Sequence, residues 1–119
     1  MSKVLIVEDE LIVALVYEKF LSAHNYTFLG PFTSGQEVLD YITKNEVDFS
    51  VALLDIQLDD NVSGLDVAIA IRKKSNVPIF FTTGNDLLKT KNATLKLGNV
   101  HYLPKPVNMK NMLDLLKNY

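Results

Sequence analysis

Residues 51–55 read VALLD, four consecutive apolar residues followed directly by a carboxylate. A continuous apolar run, as opposed to an alternating one, is typical of a strand that is buried on both faces of a parallel sheet. Further short apolar runs, several of them bounded by glycine or proline, recur along the chain. The sequence therefore predicts five strands, at residues 4–7, 26–32, 51–54, 77–81 and 100–103.

Longer segments with helical spacing of apolar residues separate these strands. The first covers about residues 11–23, with Ile12, Leu15, Val16 and Phe20 at helical spacing. Residues 86–97 lack a clean apolar stripe, but a helix is predicted there because parallel strands are linked by a crossover. The other helical patterns are Val38, Leu39 and Ile42 after the capping-box pair Ser34 and Glu37; Leu65, Ala68, Ile69 and Arg72 after Gly64; and Met109, Met112, Leu113 and Leu116 after the N-cap Asn108.

This alternation predicts an α/β fold in which five βα units form one doubly wound, five-stranded parallel sheet. The 119 residues fit a single domain, expected over residues 1–119 with no output domain after the last helix. In doubly wound sheets, ligands bind beyond the carboxyl ends of the strands. The residues that follow the strands are therefore the candidates for function.

Composition excludes several classes of protein. Twelve basic and 14 acidic residues give a formal net charge of −2, which does not favour direct binding of nucleic acid. The chain has no cysteine, so disulfide frameworks and thiol chemistry are excluded. No apolar run is long enough for a membrane span or a signal peptide, and a soluble cytoplasmic protein is expected.

Three carboxylates, a hydroxyl and an ammonium group follow the predicted strands. Glu8 and Asp9 follow the first strand, Asp55 the third and Thr83 the fourth, while Lys105 lies just beyond the fifth. Clustered carboxylates repel one another, and a divalent cation with a preference for oxygen ligands, such as Mg²⁺, relieves that repulsion. Asp55 is the plausible nucleophile for an aspartyl-phosphate, with Lys105 and Thr83 available to the phosphoryl oxygens.

From Lys3 to its end, the sequence resembles the receiver domains of bacterial two-component response regulators. Four segments carry the resemblance in the expected order, namely LIVEDE (5–10), LLDI (53–56), TTG (82–84) and YLPKP (102–106). The fold implied is flavodoxin-like, with strand order 2-1-3-4-5. The resemblance implies that Asp55 is the phosphoacceptor and that Asp9, Asp55 and the backbone carbonyl of Gln57 bind the metal, with Glu8 acting through water. It implies that Lys105 pairs with the phosphate and is aimed inward by a cis peptide bond before Pro106. It also implies that Thr83 and Tyr102 move together as a switch.

The resemblance also implies cofactors and partners. Mg²⁺, or Mn²⁺, would support transfer of a phosphoryl group from a histidine kinase, a phosphotransfer protein or a small acyl phosphate. Protein targets would bind the face formed by the fourth helix, fifth strand and fifth helix, and the domain would be a monomer or a phosphorylation-dependent dimer. It would promote its own phosphorylation and dephosphorylation without being a turnover enzyme. Lys89, Lys91 and Lys96, with Leu115, indicate either a partner-binding face or a merely solvated one.

One loop departs from the family pattern. Asp59 replaces the usual proline four residues after Asp55, and one extra residue precedes Gly64. We expect Asp59 and Asp60 to extend the acidic rim and to strengthen the dependence of phosphorylation on the divalent cation.

Three other functions remain open. A flavodoxin-type cofactor binder would need a phosphate-binding loop after the first strand, where residues 8–10 are all acidic. A phosphatase that forms an aspartyl-phosphate usually has a second acid where this chain has Gln57. A receiver-like protein-binding module that works without phosphorylation is the main alternative.

Overall fold

A computed structural model describes residues 3–58, 60–84 and 87–119, and in these residues five parallel strands alternate with five α-helices. The strands are β1 (Lys3–Val7), β2 (Thr27–Phe32), β3 (Val51–Asp55), β4 (Ile79–Thr83) and β5 (Val100–Pro104). The helices are α1 (Leu11–Ala23), α2 (Gly35–Lys44), α3 (Gly64–Arg72), α4 (Leu87–Thr94) and α5 (Met109–Leu116), with one 3₁₀ turn (Leu95–Leu97) after α4.

The sheet has the order β2-β1-β3-β4-β5, so the predicted flavodoxin-like topology is confirmed. β1 and β3 are central neighbours, with Val7 in register with Leu54. This register brings the residues that follow β1 next to the carboxyl end of β3. The order therefore assembles the candidate site.

Alternate residues of the strands face two cores. On one face, Val38 of α2 and Ile71 of α3 pack against side chains such as Leu54. On the other face, Leu21 of α1 and Met112 of α5 pack against side chains such as Leu53. Because both faces are covered, the strands are continuous apolar runs, as their sequence predicted.

Of the four apolar residues at helical spacing in α1, only Phe20 packs against a core, where it is partly buried. The buried residues are Ala14, Tyr17 and Leu21, whereas Ile12 is 81% exposed and Leu15 48%. Residues 11–16 are apolar all round, so their spacing could not distinguish the two faces. Packing against the sheet decides which face of α1 is buried, and it leaves the other apolar face of the helix exposed to solvent.

Other helices differ in detail from the prediction. In α3 the buried side chains include Val67 and Ile71, and the predicted Ile69 is 40% exposed. Gly64 begins α3 instead of preceding it, and Ser63 is the N-cap. A Cβ atom on Gly64 would lie 2.1 Å from the backbone oxygen of Asp55, so glycine allows α3 to start against the end of β3.

Helix caps agree better with the sequence. Ser34 accepts a hydrogen bond from the backbone N–H of Glu37, and Asn108 accepts one from Asn111. These caps satisfy backbone N–H groups that the first turn of a helix leaves without partners.

Candidate functional site

Three carboxylates meet at the carboxyl ends of β1 and β3. One oxygen from each of Glu8, Asp9 and Asp55 lies within 4.8 Å of the other two. Glu8 is fully buried and Asp55 is 4% exposed, while Asp9 is half-buried. Carboxylates this close repel one another unless a cation or a proton intervenes.

Lys105 supplies a positive charge to this cluster. Its Nζ lies 2.8 Å from Oδ2 of Asp55 and 3.3 Å from Oε1 of Glu8. The backbone N–H of Lys105 donates to the carbonyl oxygen of Thr83, and the peptide bond between Lys105 and Pro106 is cis, as the resemblance implied. The end of β5 therefore holds the ammonium group directly over Asp55.

Backbone N–H groups fix the orientation of two carboxylates. Gln57 donates to Oδ1 of Asp55 at 3.0 Å, and Glu10 donates to Oε2 of Glu8 at 3.0 Å. Both oxygens of Asp55 therefore have a partner, since Lys105 holds the other. The Asp55 side chain is held in one orientation before any ligand arrives.

The acidity of Glu8 reflects its burial. Burial raises the pKa of Glu8 to about 7, and the negative charge of the nearby Asp55 raises it as well. The backbone N–H of Glu10 and the Lys105 ammonium group lower this pKa, but by less. For Lys105, burial alone would lower the pKa, but the hydrogen bond to Asp55 and the charges of Asp55 and Glu8 raise it overall. The cluster thus favours a bound cation.

A cleft of about 330 Å³ opens over the cluster. Within the described residues, Oε1 of Glu8 is buried and accepts no hydrogen bond, although Lys105 is near. Carboxylate oxygens are hard donors that suit Mg²⁺ or Mn²⁺, and here three carboxylates converge, with Oε1 of Glu8 accepting no hydrogen bond from the described residues. The cleft is lined by Asp9, Glu10, Asp55, Gln57, Leu58, Gly84 and Lys105.

Thr83 and Tyr102 contact different residues of α4. The Thr83 hydroxyl lies 3.4 Å from that of Thr90, and the Tyr102 hydroxyl lies 2.5 Å from that of Thr94. Neither Thr90 nor Thr94 was among the candidate residues predicted from the sequence. Their signal was present as two threonines four residues apart in a helix without an apolar stripe.

Tyr17 is a third residue to which the sequence did not point. It extends from the buried face of α1 and is 2% exposed. Burial, together with the negative charges of Glu8 and Asp55, raises its pKa. The phenol is therefore a neutral group within the electrostatic influence of Glu8 and Asp55.

In the loop after β3, Asp60 contacts the N-terminus of α2, and the expected effect of this loop on the dependence on the divalent cation stays a prediction. Its carboxylate accepts hydrogen bonds from the Ser34 hydroxyl and from the backbone N–H groups of Gly35 and Gln36. These contacts lower the pKa of Asp60 and engage it with the N-terminus of α2 instead of the acidic rim. Asp59 lies outside the described residues.

Comparison with known proteins agrees with this geometry. The family model for the response regulator receiver domain matches residues 4–117. The chain belongs to the response regulator receiver domain family. The resemblance seen in the sequence is confirmed, and a place in two-component signalling follows from membership.

Relatives of this receiver domain include longer regulators. The regulatory protein VanR of Enterococcus faecium is 36% identical over 116 residues, which cover 98% of this chain and 48% of VanR. The transcriptional regulatory protein CitT of Halalkalibacterium halodurans is 34% identical over 119 residues, which cover 98% of this chain and 51% of CitT. The receiver domain thus spans about half the length of these curated relatives.

A solved structure shows the same fold. The signal receiver domain of a modulated diguanylate cyclase from Desulfovibrio desulfuricans G20 superposes with a TM-score of 0.85 at 27% identity, covering 98% of this chain and 91% of that one. Among the described residues of the receiver domain, no helix has the length and apolar character needed to cross a membrane.

Proposed function

We propose that this receiver domain is a signalling switch that accepts a phosphoryl group on Asp55. The observation that carries the proposal is the environment of that carboxylate. Lys105 and the Gln57 N–H hold its two oxygens, and the carboxylates of Glu8 and Asp9 lie within 4.8 Å. A nucleophile held in one orientation beside acidic groups suits metal-assisted phosphoryl transfer.

In this mechanism, a carboxylate oxygen of Asp55 forms a bond to phosphorus. The P–N bond of a phosphohistidine, or the P–O bond of an acyl phosphate, breaks and its electrons leave with the donor. Glu8, Asp9, Asp55 and the Gln57 carbonyl would hold Mg²⁺, which supplies charge neutralisation for the phosphoryl oxygens when bound. Lys105 neutralises a further oxygen, and the Thr83 hydroxyl donates to another. Each chain takes up one phosphoryl group and turns over no separate substrate.

Intact mass tests this function directly. The protein is incubated with Mg²⁺ and acetyl phosphate beside Asp55→Asn and beside a sample with chelator. We expect one added phosphoryl group in the wild type, and none in the variant or without the cation. If no donor adds a phosphoryl group, the receiver-like module that works without phosphorylation becomes the better description.

Two exposed surfaces suit protein partners of this switch. We propose that the face of α4, β5 and α5 binds the target, since Leu88 and Leu95 are 69% and 75% exposed there. Leu115 is partly buried against the core, so it contributes less exposed surface to this face than Leu88 and Leu95 do. The exposed apolar face of α1 begins directly after Glu10, which lines the cleft, and we propose that it binds the phosphodonor protein.

A further inference from the structure

Helix α4 carries two buried threonines one turn apart. Thr90 is 7% exposed and Thr94 is fully buried. Threonine is a mediocre helix former, and buried hydroxyls are normally hydrogen-bonded. Here each hydroxyl meets a residue of the candidate switch, because Thr90 faces Thr83 and Thr94 faces Tyr102.

The direction of the hydrogen bond to Tyr102 follows from counting protons. The Thr94 hydroxyl has one proton and donates it to the carbonyl oxygen of Thr90 at 2.8 Å. Its oxygen must then accept the proton of the Tyr102 hydroxyl, 2.5 Å away. The last turn of α4 therefore fixes the phenol group of Tyr102.

The ring of Tyr102 is held as well. The ammonium group of Lys91 lies 5.6 Å from the ring centroid, within cation–π range. On the sheet, Phe81 stacks on Tyr102 with an interplanar angle of 19°. Helix α4 thus holds Tyr102 at both its hydroxyl and its ring.

Thr90, the first of the two threonines, contacts a residue of the candidate phosphorylation site, Thr83. Thr83 ends β4, is 3% exposed and has its hydroxyl 3.4 Å from that of Thr90. A contact of this length is weak, whereas a phosphoryl oxygen is a charged acceptor that forms shorter and stronger hydrogen bonds. A phosphoryl group on Asp55 would therefore draw the Thr83 hydroxyl away from Thr90.

We propose that Thr90 and Thr94 are positioning residues that transmit the engagement of Thr83 to Tyr102 through α4. The proposal rests on the proposed phosphorylation of Asp55. In the unphosphorylated domain, the contacts of Thr83 with Thr90 and of Thr94 with Tyr102 hold α4 and Tyr102 in one arrangement. Loss of the first contact loosens α4 from β4 and releases Tyr102. By linkage, a variant that releases Tyr102 also favours phosphorylation.

Two matched pairs of variants separate the hydroxyl from the shape of the side chain. Thr90→Val and Thr94→Val keep the branched side chain and remove the hydroxyl, while Thr90→Ser and Thr94→Ser keep the hydroxyl. The protein is labelled with 3-fluorotyrosine, and the ¹⁹F resonance of Tyr102 is assigned with Tyr102→Phe. Spectra are recorded before and after addition of Mg²⁺ and acetyl phosphate, and intact mass gives the phosphorylated fraction.

Thr90→Val is the decisive variant, because the hydroxyl of Tyr102 bonds to Thr94 and not to Thr90. We expect the unphosphorylated Thr90→Val and Thr94→Val proteins to show the Tyr102 resonance displaced toward its phosphorylated position. At a fixed concentration of acetyl phosphate, the ratio of phosphorylated to unphosphorylated protein should rise by up to roughly fivefold, the factor that corresponds to one ordinary side-chain hydrogen bond. The serine variants should match the wild type. A Tyr102 resonance that Thr90→Val leaves unchanged before phosphorylation would overturn the proposal.

Failure of the proposed function gives a different result. Wild-type protein that gains no mass from acetyl phosphate would refute phosphorylation, whereas the unphosphorylated spectra of the valine and serine variants would still decide whether α4 links Thr90 to Tyr102. If serine and valine displaced the resonance equally, shape and not the hydroxyl would be responsible, and the proposal would be wrong.

Discussion

At the scale of single residues, Glu8 is fully buried, and only one of its two carboxylate oxygens accepts a hydrogen bond from the described part of the chain. Its folded pKa of about 7 lies above its ordinary value of 4.5, so the folded state binds more protons than the unfolded state between these limits. The stability that the protonated group contributes is fully present below about pH 4.5 and is lost as the pH rises through about 7. Neutral pH therefore leaves an unfavourable buried charge that a cation would relieve.

We predict that Glu8→Gln removes this pH dependence. Without divalent cations, the wild type should lose on the order of 3 kcal/mol of unfolding free energy from this group between about pH 4.5 and pH 7.5, and the variant should not. Chemical denaturation across this range measures the difference. The exposed Glu46 provides the control Glu46→Gln, which should follow the wild type. Parallel pH profiles for the wild type and Glu8→Gln would contradict the prediction.

At the scale of elements, α1 has one face that is buried against the sheet and one apolar face that is exposed to solvent. Its buried face packs under the sheet, while Leu11, Ile12, Leu15 and Val16 remain exposed beside the cleft. Contiguous exposed apolar side chains are typical of a binding surface. The apolar face begins directly after Glu10, which lines the cleft, and this position supports the proposal that α1 binds a protein phosphodonor.

We predict that Leu15→Ser and Ile12→Ser slow phosphotransfer from a histidine kinase that phosphorylates the wild type, by roughly tenfold for the pair. Their reaction with acetyl phosphate should be unchanged, because the buried face of α1 is intact. The control Ile69→Ser removes an apolar side chain that is 40% exposed on α3. Equal slowing with both donors would show that the site, and not partner binding, was damaged.

The contact between α2 and the loop after β3 joins two elements through Asp60. We predict that Asp60→Ala increases hydrogen exchange at the N–H groups of Gly35 and Gln36, which lose their acceptor. Because these contacts lower the pKa of Asp60, the wild type should lose the same protection as the pH falls through that lowered pKa. Exchange measured by NMR tests both effects, with Asp114→Asn on the exposed side of α5 as the control. Unchanged exchange in Asp60→Ala would refute the cap.

At the scale of the whole molecule, Arg72 connects the end of α3 to the segments that precede β4 and β5. Its guanidinium donates at 2.8–3.0 Å to the carbonyl oxygens of Ser75, Val77, Leu97 and Gly98. Arg72 lies on the helical stripe predicted from the sequence, but these acceptors lie as far as 26 residues away along the chain and have no local sequence signal.

We predict that Arg72→Lys destabilises the fold by about 2 kcal/mol, because an ammonium group cannot reproduce the planar set of donors. Thermal and denaturant unfolding measure the loss. Lys73→Gln on the exposed neighbouring residue should change stability by less than about 0.5 kcal/mol. A loss of less than about 0.5 kcal/mol in Arg72→Lys would show that a positive charge at this position is sufficient and that the geometry of the guanidinium does not matter.

The sequence by itself determined the alternation of strands and helices, the parallel sheet and the positions of Glu8, Asp9, Asp55 and Lys105 at strand ends. Each of these follows from local features, either an apolar run or a polar residue directly after it. Caps such as Ser34 were predictable for the same reason, since their hydrogen bonds span three residues.

The tertiary structure alone decided which face of α1 is buried, where the carboxylate of Asp60 binds and how Thr90 and Thr94 meet Thr83 and Tyr102. An apolar segment such as residues 11–16 is compatible with several orientations, and a carboxylate or hydroxyl can bond to many acceptors and donors. These choices depend on groups that are distant along the chain. They are fixed only when the sheet brings those groups within a few ångströms of one another.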